Sequence, residues 1–161
     1  MIENFCDWLA ATSISLAFQS WTWFVPSVQT VHILCVAVVL TSAYVIALRL
    51  LGLPIGKETL AGVTAKSMPW IWIALIVLLA TGTLLTITEP ARELLNWVFR
   101  AKMLMVMFLA GLLRVNERLL LRDAKYWSES PQRRTAARGL GGVCLVVGAA
   151  IVTAGRWIAY V

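Results

Sequence analysis

The chain carries one histidine, His32, and it falls in a stretch from Trp8 to Leu48 without Asp, Glu, Lys or Arg. An imidazole titrates near neutral pH, moves protons and ligates metals. In apolar surroundings a polar side chain is costly and marks function. Gln29 precedes it by one turn, and Cys35 follows at i+3 on the same helical face. Further along stand the cations Arg100, Lys102 and Arg156, the sulfur donors Met103, Met105 and Met107, and the polar residues Thr81, Thr83, Thr86 and Glu89. These residue types suit three chemistries. The first is haem b, with His32 as axial ligand and Arg100, Lys102 or Arg156 holding propionates by charge-assisted bonds. One histidine then implies five-coordinate iron, a haem shared across a symmetric dimer, or a second ligand such as Met103, Met105 or Lys102. The second is copper, with His32, Cys35, Met103 and Met105 as metal ligands, since thioether and thiolate sulfur suit Cu(I). The methionines alternate at i, i+2, so one helix does not aim all three at a point. The third is a quinone or another anionic small ligand with His32 as proton partner. The plain alternative is structural: His32 bonds a carbonyl or Glu89 across a helix pair.

The elements that position these residues follow from composition. Hydrophobic residues make up 60% of the 161 residues and charged residues 14%, against about 45–50% and 25% in soluble domains. The mean hydropathy is +0.82. These values exclude a soluble enzyme or a disordered regulator. They indicate an all-α integral membrane protein, a four-helix bundle in one domain over residues 1–161. A crossing helix needs about 20 mostly apolar residues. Spans are expected at about 27–48, after Pro26; 67–88, opened by Pro69; 96–116; and 139–159. Phe5, Trp8, Leu9, Leu16 and Phe18 predict an N-terminal interfacial helix at about 2–19. A short interfacial helix from about Pro90 to Phe99 is expected between spans two and three. Glu3 and Asp7 stand where a cleavable signal needs positive charge.

Charge sets the expected orientation. Arg49, Lys57 and Lys66 follow span one, and Arg114, Arg118, Arg122, Lys125, Arg133, Arg134 and Arg138 follow span three. Only Arg92, Arg100, Lys102 and Arg156 lie on the other side. Ten cations against four predict a bacterial inner-membrane protein with both termini periplasmic. The net charge of +6 is thereby explained by topology and by anionic lipid, without a nucleic-acid partner. At 1.5 Å per residue, His32 falls about 9 Å outward of the midplane, with Lys102 at similar depth. Thr83, Glu89, Arg100 and Arg156 fall in the same outer half, so one cavity there is the expected site.

Cys6, Cys35 and Cys144 show no disulfide or metal spacing. No phosphate loop, serine elbow or zinc pair occurs, and whether the chain is an enzyme stays open. Gly141, Gly148 and Gly155 recur at seven residues on one helical stripe, which permits close packing within the bundle, in a homo-oligomer, or in a larger membrane complex as an accessory subunit.

Several segments carry a family resemblance: Trp8-Leu9 with Thr12 and Ser15; Trp23 and Pro26; Gln29-Thr30 and His32; Leu48-Arg49-Leu50-Leu51-Gly52; Pro69-Trp70; Thr81-Gly82; Glu89-Pro90; Phe99 and Lys102; and Asn116. On these the chain resembles a group of small bacterial four-helix membrane proteins known as a domain of unknown function. His-bearing first helices of this kind are more loosely similar to copper-resistance membrane proteins and to cytochrome b-like modules. The resemblance implies a four-span architecture and directs attention to His32 and Lys102.

Overall fold

A computed structural model describes residues 2–157. It is helical, with no strand among the described residues. The N-terminal segment is two helices, α1 (Ile2–Ala10) and α2 (Ser13–Ser20), and not the single helix expected at 2–19. The chain breaks at Ala11–Thr12, where the Thr12 side chain accepts from the backbone N–H of Ser15 and caps α2. Then follow α3 (Phe24–Leu50), α4 (Leu60–Thr88), α5 (Pro90–Leu94) and α6 (Trp97–Arg122). A 3-10 turn at Tyr126–Ser128 leads to α7 (Pro131–Trp157).

The long helices outrun the expected spans. Pro26 lies in the first turn of α3, where no intrahelical donor is required. Pro69 lies inside α4 and does not open it. The start is set instead by Thr59, whose side chain accepts from the Gly62 N–H. Asn96 likewise caps α6 and ends the expected Pro90–Phe99 helix at Leu94. Pro131 opens α7 eight residues before the expected start at 139, and the expected end at 159 lies outside the described residues. Hydropathy marks the stretch that suits lipid; capping residues mark where the helix begins.

Three helices, α3, α4 and α7, are long and apolar enough to cross a membrane. The fourth long helix, α6, carries Arg100, Lys102, Arg114, Glu117, Arg118 and Arg122 and falls short of that measure. Packing is most extensive between α3 and α4, then between α3 and α7 and between α6 and α7. Small residues set the closest approach. Ala43 and Ala47 of α3 are fully buried, and they face the stretch of α7 that holds Gly141 and Gly148. A Cβ on Gly141 would stand 2.6 Å from the Ala47 carbonyl oxygen, and one on Gly148 would meet the Tyr44 ring. Gly141 and Gly148 of the seven-residue pattern therefore seat α7 on α3 within the chain.

Polar clamps fix both ends of this assembly. At one end Ser15 donates to the Ile87 carbonyl at 2.8 Å and Gln19 to the Thr88 carbonyl at 2.8 Å. Helix α2 thus satisfies two of the last carbonyls of α4, which have no partner within the helix. At the other end Asn116 is 1% exposed. Its amide donates to Thr64 Oγ1 at 3.4 Å, and its carbonyl accepts from Trp127 Nε1 at 2.9 Å. One side chain thereby ties α6 to α4 and to the 3-10 turn. Asn116→Leu leaves the indole N–H unpaired, which costs about 1–3 kcal/mol. The melting temperature in detergent falls, and adding Trp127→Phe recovers part of the loss. An unchanged melting temperature would show that the clamp contributes nothing.

Candidate functional site

His32 is half-buried on the face of α3 that meets α4. Its Nδ1 lies 2.8 Å from Thr81 Oγ1. The Thr81 hydroxyl has a single hydrogen, and it donates that hydrogen to the Val77 carbonyl at 2.7 Å. With its hydrogen on Val77, the hydroxyl oxygen accepts from His32 when the imidazole carries its proton on Nδ1. In that tautomer Nε2 keeps its lone pair. A partner on one ring nitrogen fixes the tautomer and the ring plane, the arrangement found behind metal-bound imidazoles. The ring lies against Gly82, where a Cβ would stand 3.6 Å from His32 Cε1. That is an ordinary van der Waals contact, so the ring packs directly on this face of α4.

Lys102 is half-buried on α6 and repeats the pattern on α7. A Cβ on Gly155 would stand 3.6 Å from its Nζ and 3.8 Å from its Cε. Lys102 stands within electrostatic reach of His32 and of Glu93 on α5. Burial raises the Glu93 carboxyl above the usual carboxylate range, while Lys102 and Arg92 pull it down. An imidazole, an ammonium and a half-buried carboxyl from α3, α6 and α5 thus interact at one end of the molecule. Such a set can bind an anionic group, pass a proton, or present a nitrogen donor beside a cation.

A family model described as a family of unknown function, DUF6644, matches residues 7–161. The chain belongs to that family. No curated protein and no solved structure matches it. The resemblance to a domain of unknown function therefore holds. No named relative stands behind the looser likeness to copper-resistance or cytochrome b-like proteins.

In this DUF6644 member, His32 and Lys102 are the two expected site residues that come within reach of each other. Gln29 is exposed, about 60° around α3 from His32 at 3.6 residues per turn. Arg100 is exposed at the start of α6, and Arg156 is exposed near the end of α7. The copper donors diverge. Met103 is exposed while Met105 packs on the core, because side chains at i, i+2 leave a helix about 200° apart. Cys35 is half-buried, and no group of three His, Cys, Asp or Glu gathers among the described residues. Thr83 turns back to the Leu79 carbonyl, and Glu89 pairs with Arg92 at 2.6 Å on the surface.

Glu93 was not visible as a site residue. It lies in the five-residue helix α5, too short to show an apolar periodicity. The one signal for it was the Glu89-Pro90 pair, which opens α5 and turns Glu93 inward. Two open clefts lie beside Glu89. One of about 340 Å³ is lined by Gln19, Trp21 and Thr88, and one of about 290 Å³ by Cys6, Asp7 and Arg92. Neither includes His32.

Proposed function

We propose that the chain is a membrane-embedded redox module that holds haem b through His32. The reading rests on one observation: His32 Nδ1 lies 2.8 Å from Thr81 Oγ1, and in the Nδ1–H tautomer that this contact suits, Nε2 is an oriented donor. The donor chemistry fits haem better than copper, because one oriented nitrogen is available and the sulfur atoms diverge. His32 would hold the iron. Lys102 would hold an acidic propionate, with Arg156 as a further cation at the same end of the bundle. When bound, haem supplies one-electron transfer. The chain's own residues orient the imidazole on Gly82, keep its proton on Nδ1, and balance the Lys102 charge with Glu93.

In the same reading α6 is the fourth span of a four-helix bundle, and the membrane is the bacterial inner membrane. Arg100 and Lys102 reach one headgroup region while Arg114, Arg118 and Arg122 reach the other, so long stems carry the charge out of the hydrocarbon. The excess of Lys and Arg after α3 and α6 makes that end cytoplasmic and the termini periplasmic.

Thr81 supplies the test of the tautomer argument. Thr81→Val keeps the shape and removes the acceptor, and haem affinity falls about 10–100-fold, the usual effect of losing such a partner. Thr81→Ser retains the affinity. Haem titration of the purified variants reads this out. Equal affinity in Thr81→Val and the parent would end the claim that Thr81 orients the ligand.

A further inference from the structure

The acids at the far end of α6 are all committed. Glu117 pairs with Arg114, Glu129 with Arg133, and Asp123 accepts from the backbone N–H of Lys125. Other cations are committed too: Lys66 pairs with Glu58, Arg49 donates to the Gly56 and Glu58 carbonyls, and Arg134 donates to the Ser128 carbonyl. At this end Lys57, Arg118, Arg122, Lys125, Arg134 and Arg138 are exposed and have no acidic partner among the described residues. This end therefore carries an excess of uncompensated positive charge, Arg118 and Arg122 included.

Arg118 and Arg122 also continue a particular face. Leu104, Met107, Phe108, Gly111, Val115, Arg118 and Arg122 fall within an arc of roughly 100° on α6 at 3.6 residues per turn. All of them are exposed. The apolar members are large, with Leu104 64%, Met107 62%, Phe108 53% and Val115 54% exposed. Gly111 leaves a notch midway: no neighbouring atom lies within 4 Å of where its Cβ would stand. One leaflet of hydrocarbon, about 15 Å deep, corresponds to about ten residues of helix. Ten residues is the distance from Arg118 back to Phe108.

We infer that this face of α6 seats one anionic phospholipid, its phosphate between Arg118 and Arg122 and an acyl chain along Val115, the Gly111 notch and Phe108. Charge complementarity selects the occupant. A second copy of the chain related by a two-fold axis along the membrane normal would bring Arg118 against Arg118 and Arg122 against Arg122, and like charges oppose that contact. A zwitterionic lipid would leave the two guanidinium groups without net compensation. Lys125 and Arg138 lie at the same end and add to the field that draws the headgroup.

The inference rests on α6 crossing the bilayer, so the experiment reads both. The chain is reconstituted in nanodiscs of phosphatidylcholine with a minor share of phosphatidylglycerol, released into the gas phase, and its bound lipid counted by native mass spectrometry. The parent retains phosphatidylglycerol over phosphatidylcholine. Arg118→Gln with Arg122→Gln lowers that preference about thirtyfold, from about 1 kcal/mol per cation removed. Gly111→Phe fills the notch and lowers retention with both charges in place. In parallel, Phe108→Cys and Arg122→Cys are treated in vesicles with a water-soluble maleimide. Labelling at 122 and protection at 108, above the native-cysteine background, place α6 in the membrane. Equal labelling at both positions would remove the spanning reading and the lipid seat with it. Unequal labelling with no preference for phosphatidylglycerol, or a lipid-free dimer broken by Val115→Arg, would overturn the lipid seat alone.

Discussion

His32→Ala yields a protein that inserts and folds yet carries no haem. The imidazole is half-buried, so its removal takes little from the core. The neighbouring Thr81 keeps its bond to Val77 and is left without a buried, unpaired donor. Folding and insertion therefore survive, which a size-exclusion profile matching the parent would show. The chain has no other histidine to take over as ligand. The expected loss is complete, against the partial loss expected for Thr81→Val. Lys102→Gln lies between them: it removes a cation beside the imidazole and leaves the nitrogen donor in place. A His32→Ala protein that retains its full cofactor content would refute His32 as the ligand.

Gly141→Ala gives the largest loss of stability. The new methyl would stand 2.6 Å from the Ala47 carbonyl oxygen and 3.1 Å from Leu50 Cβ. The first is backbone, so the clash is relieved only by moving α7 off α3. Overpacking of this kind costs about 1–3 kcal/mol. That corresponds to a fall in melting temperature of about 2–4 °C per kcal/mol in a chain of this size. Gly148→Ala costs less, because the Tyr44 ring it meets is able to swing aside. Gly111→Ala and Gly142→Ala enter open space and leave the melting temperature unchanged or slightly raised. Thermal unfolding of the four variants in one detergent reads out the order. Equal effects at positions 141 and 111 would contradict the close seat of α7 on α3.

The helical class, and helices long and apolar enough to cross a membrane, were legible because long uncharged runs favour continuous helix. Helix ends were less so. Hydropathy falls off at the headgroup level, whereas α4 and α7 continue for two further turns until Thr59 and Pro131 stop them. The break between α1 and α2 depends on one hydroxyl, that of Thr12, within a pattern that otherwise reads as continuous helix. The status of α6 turns on its charges. Arg114 is partly neutralised by Glu117 and lies over the Trp72 ring at 5.6 Å, a local arrangement that hydropathy does not carry.

At the candidate site, rotation about the helix axis was not readable from the sequence. His32 and Lys102 were expected at similar depth, with Arg100 in the same outer half. Whether each turns inward depends on which neighbour packs alongside. His32 packs against Gly82 of α4 and Lys102 against Gly155 of α7, each at ordinary contact distance. Arg100 and Gln29 have no such seat and face outward. Gly155, read from the sequence as a close-packing position, thus lies against a polar side chain.

The central claim is that His32 presents Nε2 to haem b. It is tested most directly by the absorption spectrum of the purified protein, oxidised and then reduced with dithionite, after expression with haem precursor and iron supplied. A Soret band that shifts on reduction is expected, in a stoichiometry of one haem per chain or one per two chains. A spectrum without a Soret band, from folded protein that also contains no haem by extraction, would contradict it.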